Sequence, residues 1–193
     1  PAPRYVFRGQ SSDWPLKPSV GRDEIAYSAE REVQLFNEFK RNARGYLQSG
    51  LDPRSDWEWL ALAQHHGLPT RLLDWTTNAL VAAFFSCAPS SRSDDGKVSC
   101  IAPREMGLIN LDDDPKGPFS IGETKFIYTP IVAPRIAAQR GLFSVHSSPT
   151  IPLKLADAGD QFVFEDGIKK EVRQLLHRLG IDDHFLMGGL DGL

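Results

Sequence analysis

The chain has 193 residues, 41% of them apolar and 24% charged, with a formal charge of −3. That balance excludes a global basic footprint for nucleic acid, though not a local basic groove, and no run reaches the ~18 apolar residues of a membrane span. Two cysteines, Cys87 and Cys100, exclude a disulfide framework and fit a reducing, cytoplasmic compartment, where they read as small buried hydrophobes.

One domain, 1–193, is the expectation at this length, with a core that needs neither disulfide nor metal. No signal-peptide pattern opens it. The chain starts at Pro1 and is strand-like by Tyr5, which is also how a piece of a longer protein would start.

Arg4 to Arg8 is a short β-rich run expected to stop at Gly9. A polar loop broken by Pro15 and Pro18 follows. From Ala29 to Gln48 the apolar residues Ala29, Val33, Phe36, Phe39, Ala43, Tyr46 and Leu47 recur at threes and fours, the pattern of an amphipathic helix. Ser55 with Glu58 can form a capping box for a second helix reaching about His66, with Gly67 as its C-terminal cap. RLLDW is short and reads as extended. Thr77 or Asn78 can cap a third helix, Ala79 to Cys87, apolar on nearly every face and so expected to be buried. Strand-like runs follow at Lys97–Ala102, Lys125–Val132, Leu142–His146 and Gln161–Phe164. A last helix, Ile168 to Leu179, carries Ile168, Val172, Leu175, Leu176 and Leu179 in one stripe and ends at Gly180. Helices and strands are segregated, which predicts an α+β fold with helices on a mostly antiparallel sheet.

The stretch AQHHGLPTRLLDWTTN, Ala63 to Asn78, is unusually rich in His, Arg, Asp and Trp for a segment between apolar runs. His65 and His66 point about 100° apart on a helix, so they do not share a metal as a pair at i and i+4 does; no metal is expected. One of them reads as a helix-end residue, and the other stays open as acid, base or ligand donor. Arg71 and Asp74 can simply pair with each other. Trp75 is either core or a flat wall for a ring. Thr76 and Thr77 are caps or ligand donors. The whole set exceeds what a core needs, which favours a site.

Two further motifs flank it. Phe7-Arg8-Gly9-Gln10 places an Arg able to grip a phosphate or carboxylate beside a glycine that permits close approach; on spacing alone, a paired structural arginine and a turn glycine explain it better. Pro134 to His146 is a small-residue turn, with Arg135 and Gln139, leading into a strand. There Phe143 and Val145 share one face, Ser144 and His146 the other. There is no Gly-x-Ser-x-Gly elbow, P-loop or dinucleotide glycine pattern.

FRGQ, AQHHGLPTRLLDWTTNAL, PRIAAQRGLFSVH and the closing GLDGL together resemble the FRG domain family, over Tyr5 to Leu193. The order of elements is also similar to ADP-ribosyltransferase folds, in which a first strand ending in aromatic-Arg-Gly holds NAD. The resemblance implies NAD as substrate and a nucleotide pocket, with an unknown macromolecular acceptor, protein or nucleic acid, as in a toxin or phage-defence effector. It implies binding roles for Arg8, Gly9, Gln10, His65, Arg71, Trp75, Thr76, Arg135 and Phe143, and catalytic roles for Asp74, His66 and Gln139. Gln139 stands where such enzymes usually have a glutamate. A neutral amide can hydrogen-bond a ribose hydroxyl but cannot act as a base, so a non-catalytic nucleotide sensor is the competing reading. A metal-dependent hydrolase using His65 or His66 with Asp74 is a third.

Overall fold

The computed structural model describes residues 3–24, 26–47, 53–90, 93–111, 117–129, 134–155 and 161–187, with only the backbone of 134 and 135. The fold is α+β. A mixed seven-stranded sheet runs in the order β4-β5-β6-β2-β1-β3-β7. Its strands are β1 (Val6–Gln10), β2 (Leu72–Thr76), β3 (Gly96–Ile101), β4 (Leu108–Ile109), β5 (Lys125–Ile127), β6 (Gly141–Val145) and β7 (Gln161–Phe164). Among the described residues every pairing is antiparallel except β4 with β5.

The helices are α1 (Ala29–Ala43), α2 (Asp56–His65), α3 (Ala79–Ser86), α4 (Pro134–Ala138), α5 (Asp166–Arg178) and α6 (Asp183–Met187). Polar side chains set several of their starts. Ser28 accepts the Arg31 N–H at 3.3 Å and Asn78, rather than Thr77, accepts the Leu80 N–H at 3.0 Å. Ser55 accepts the Glu58 N–H at 3.3 Å, while the Glu58 carboxylate accepts from Arg54 N–H at 2.9 Å. The capping box therefore closes one residue earlier than its simplest form. Gly67, with φ +86°, turns the chain out of α2.

Strand alternation sorts the core into two faces. Leu72, Phe143, Val145 and Ile127 point to α1 and α2, against Phe36, Trp57, Trp59 and Leu60. Val6, Leu73, Trp75, Phe126 and Leu142 point the other way, where Leu16, Leu153 and Leu155 cover them. A third cluster joins α3 to α5 and α6 through Val81, Phe84, Leu176 and Leu186.

Several expectations are corrected. β1 does not stop at Gly9 but runs through it to Gln10. α1 ends at Ala43, just ahead of Gly45, rather than at Gln48. β5 ends at Ile127, and positions 130–132 of the predicted strand lie outside the described residues. The turn ahead of β6 contains the short helix α4, after which Arg140, at φ 46°, redirects the chain. The stripe on α5 is mostly not core: Leu176 is buried and Val172 packs beside it, but Ile168, Leu175 and Leu179 are exposed.

Candidate functional site

β1 meets β3 through five residue pairs but meets β2 through one, Phe7 with Thr76. Continued in register, Arg8 would face Trp75 and Gly9 would face Asp74; instead the strands part. A cavity of about 300 Å³ opens at this parting. Phe7, Val81, Phe85, Ile136 and Phe143 form an apolar wall, and Arg8, Gln64, His65, Asp74 and Gln139 provide the polar groups.

Arg8 bridges the gap. Its Nη1 donates to the Asp74 carbonyl at 2.8 Å, replacing the backbone bond that the parted strands do not make, and lies 3.7 Å from the Asp74 carboxylate. The side chain is 15% exposed, and Nε is buried with no partner. Burial lowers the guanidinium from its ordinary value; Asp74 opposes that shift and nearby Arg22 adds to it. Arginine keeps its charge regardless. The result is a mostly shielded cation with unspent hydrogen-bonding capacity in the lining of a cavity.

Asp74 stands at the rim, its side chain 62% exposed. Gln64 donates to one of its oxygens at 2.8 Å and in turn accepts from the Thr70 hydroxyl, which fixes the amide's orientation. Gln64 is the partner that the sequence argument passed over, although it lies inside the polar stretch. Asp74 is the one carboxylate among the cavity's described lining residues.

The other residues singled out by sequence divide sharply. His65 lines the cavity, whereas His66 packs on Phe39 and on the edge of His65. Gly9 lines it too, but what requires a glycine is α3: a Cβ there would lie 1.8 Å from the Ala82 carbonyl oxygen. Trp75 contributes to the wall, yet its ring is committed behind the sheet, donating to Ser144 Oγ at 2.9 Å and meeting Phe126 edge-on at 5.6 Å. It is no free stacking surface. Thr76 donates to the Gln139 carbonyl at 2.6 Å and accepts from Asn78 N–H, so its hydroxyl ties β2 to the α4–β6 turn. Gln139 reaches the cavity, but its amide nitrogen donates to the Leu186 carbonyl at 3.1 Å and anchors α6. Phe143 belongs to the apolar wall. Gln10 does not line the cavity; its Oε1 is buried without a partner. The side chain of Arg135 and the closing GLDGL lie outside the described residues.

Arg71 is not at the site. It does not pair with Asp74 but with Glu32 on α1, through Nε at 2.9 Å and Nη2 at 2.6 Å, and it stacks over Phe119. Both partners are buried, so the pair clamps α1 to the sheet. A sequence signal for Glu32 does exist: it lies four residues before Phe36, on the buried stripe of α1.

Behind the cavity, Ser144 Oγ also meets His146 Nε2 at 3.0 Å. His146 is 1% exposed. Burial, with repulsion from Arg8 and Arg71, lowers its pKa to about 4, so it is neutral near pH 7. Among the described residues no three His, Cys, Asp or Glu side chains gather as a metal site, and no helix is long and apolar enough to cross a membrane.

A family model described as the FRG domain matches residues 3–95. The match contains β1, α2, β2 and α3, hence Arg8, Gln64, His65 and Asp74. Ile136, Gln139 and Phe143, which complete the cavity, come from beyond it. No curated protein and no solved structure matches the chain.

Proposed function

We propose that the cavity binds a nucleotide of the NAD class, with an anionic group at Arg8 and a flat ring against the apolar wall. The observation that carries this reading is the state of Arg8: mostly shielded, charged, bonded to a neutral carbonyl, 3.7 Å from the half-solvated Asp74 carboxylate, and with Nε unpartnered. A phosphate supplies close acceptors and more negative charge than the longer contact to Asp74 gives, in charge-assisted bonds roughly twice as strong as neutral ones. A volume of about 300 Å³ lies at the small end of ligand pockets, so it suits one mononucleotide half of NAD better than the whole molecule.

Turnover in such a site is of the ADP-ribosyltransferase or NAD glycohydrolase kind. Cleaving the nicotinamide–ribose bond builds positive charge on the ribose, and a fixed carboxylate stabilises it. In this reading Asp74, whose carboxylate accepts from Gln64, takes that role, and Gln139, neutral and tied to Leu186, does not. The acceptor of a transferred group is then a protein or a nucleic acid, and the setting a toxin or antiviral effector. The state of Gln139 favours a second reading, in which the domain holds the nucleotide intact as a sensor.

One experiment separates them: nicotinamide release from NAD by the purified chain, with Arg8→Ala and Asp74→Asn alongside, and NAD binding measured by calorimetry. Release lost in both variants supports the enzyme. Binding that depends on Arg8, without release, supports the sensor. Neither release nor binding sinks the nucleotide reading.

A further inference from the structure

A second concave surface lies between α5 and residues 87–90 and 93, and shares no lining residue with the first cavity. It is formed by α5 and the segment after α3, and Cys87, the C-terminal cap of α3, lies in its wall. Lys169, Lys170, Arg173 and Arg178 line it against a single carboxylate, Asp166. On a chain of net charge −3 this is a local reversal of sign.

These cations are not equivalent. Lys169 is buried and donates to the carbonyls of Ser11 and Asp94, so it serves the fold while adding charge beneath the surface. Arg173 pairs with Asp183 at 2.6 Å and lies over the Phe84 ring. Lys170 and Arg178 are exposed, and among the described residues neither has an ion pair or side-chain hydrogen bond. They stand eight residues apart, about two turns, with Gln174 between them on the same stripe. That spacing is about 12 Å along the helix, comparable to the axial rise of about three to four base pairs of a duplex.

We propose that this groove is a binding surface for the phosphate backbone of a nucleic acid. Two free cations, Lys170 and Arg178, stand on its α5 side with Gln174 between them, and His177, near Asp182, is the one ring among its described lining residues. With no Phe, Tyr or Trp in the described lining, its main grip is on backbone charge rather than on bases. Concavity favours a strand over a flat bilayer. The proposal does not depend on what the first cavity binds.

The test is fluorescence anisotropy of a labelled twenty-nucleotide oligothymidylate, and of the corresponding duplex, with the full chain at 50 and 200 mM salt. Lys170→Glu with Arg178→Glu is compared with Arg31→Glu with Arg44→Glu, which makes the same charge change at exposed positions of α1 and its C-cap. The expected result is binding that weakens tenfold or more in the α5 variant and little in the α1 variant. The log–log salt slope should flatten by about 1.5 for the two lost contacts. Lys170→Gln with Arg178→Gln should show a smaller loss in the same direction. No binding by the unmodified chain at 50 mM salt overturns the proposal, as does an equal loss in both reversed variants. So does a loss confined to vesicles containing phosphatidylserine, with the oligonucleotide still bound.

Discussion

Arg8 donates to the backbone carbonyl of Asp74 across the gap between β1 and β2, and its guanidinium stands 3.7 Å from the carboxylate of that same residue. One cation thus touches both the main chain and the side chain of its neighbour. A carbonyl and a partly solvated carboxylate leave it under-compensated. Arg8→Ala should lower NAD affinity tenfold or more, in line with about 1.5–3 kcal/mol for a hydrogen bond to a charged group. Arg8→Lys keeps the charge but loses the fork, so it should recover only part of that. Calorimetric affinities equal to that of the unmodified chain would remove Arg8 from the site.

Gly9→Ala should unfold or severely destabilise the protein whether or not ligand is present. The new methyl would overlap the Ala82 carbonyl, and α3 has no room to retreat without leaving β1. Overpacking of this kind costs about 3 kcal/mol or more. Urea denaturation measures it, and a midpoint within error of the parent would contradict the close packing.

Removing one member of the Arg71–Glu32 pair should cost about 3–5 kcal/mol, because the other is left charged and buried. Replacing both, as Arg71→Met with Glu32→Leu, should recover most of the loss. A double variant no better than the singles would show that the clamp's geometry, and not its charge balance, holds α1 on the sheet.

His146 ties stability to pH. Its folded pKa, about 4, lies below the ordinary 6.5, so between those values the unfolded chain binds more protons than the folded one. Stability from this group is complete above pH 6.5 and falls as pH drops towards 4, by on the order of 3 kcal/mol. Denaturation curves for His146→Gln should lack this slope in that window. A slope unchanged by the substitution would assign it to other groups.

Gln139→Glu should not create an NAD-cleaving enzyme. A carboxylate cannot donate to the Leu186 carbonyl, so the change leaves an unsatisfied acceptor at α6 and costs about 1–3 kcal/mol. Gain of nicotinamide release in this variant would mean that the amide is free to turn into the cavity.

How much of this was legible in the sequence depended on range. Local patterns gave the helix start at Ser55, narrowed the next to Thr77 or Asn78, and gave the alternation of Phe143 and Val145 against Ser144 and His146. The expected Arg71–Asp74 pair failed for a reason also local: three positions apart on an extended chain, they face opposite ways. Their true pairings were not legible, although the stripe of α1 marks Glu32 as buried. Glu32 lies 39 residues from Arg71, and nothing periodic links α1 to the start of β2. Gln139 was placed near the site, but its bond to Leu186 comes from an unanticipated short helix. β4, two residues long and paired in parallel, carries no pattern of its own.

The single Phe7–Thr76 rung has a mechanical meaning. It divides the sheet into two plates, β4-β5-β6-β2 and β1-β3-β7, meeting along a seam that the Arg8 side chain spans like a stitch. A ligand seated there touches both plates at once and adds struts where rungs are missing. Occupancy should therefore stiffen the whole sheet, slowing amide exchange in strands that never contact the ligand.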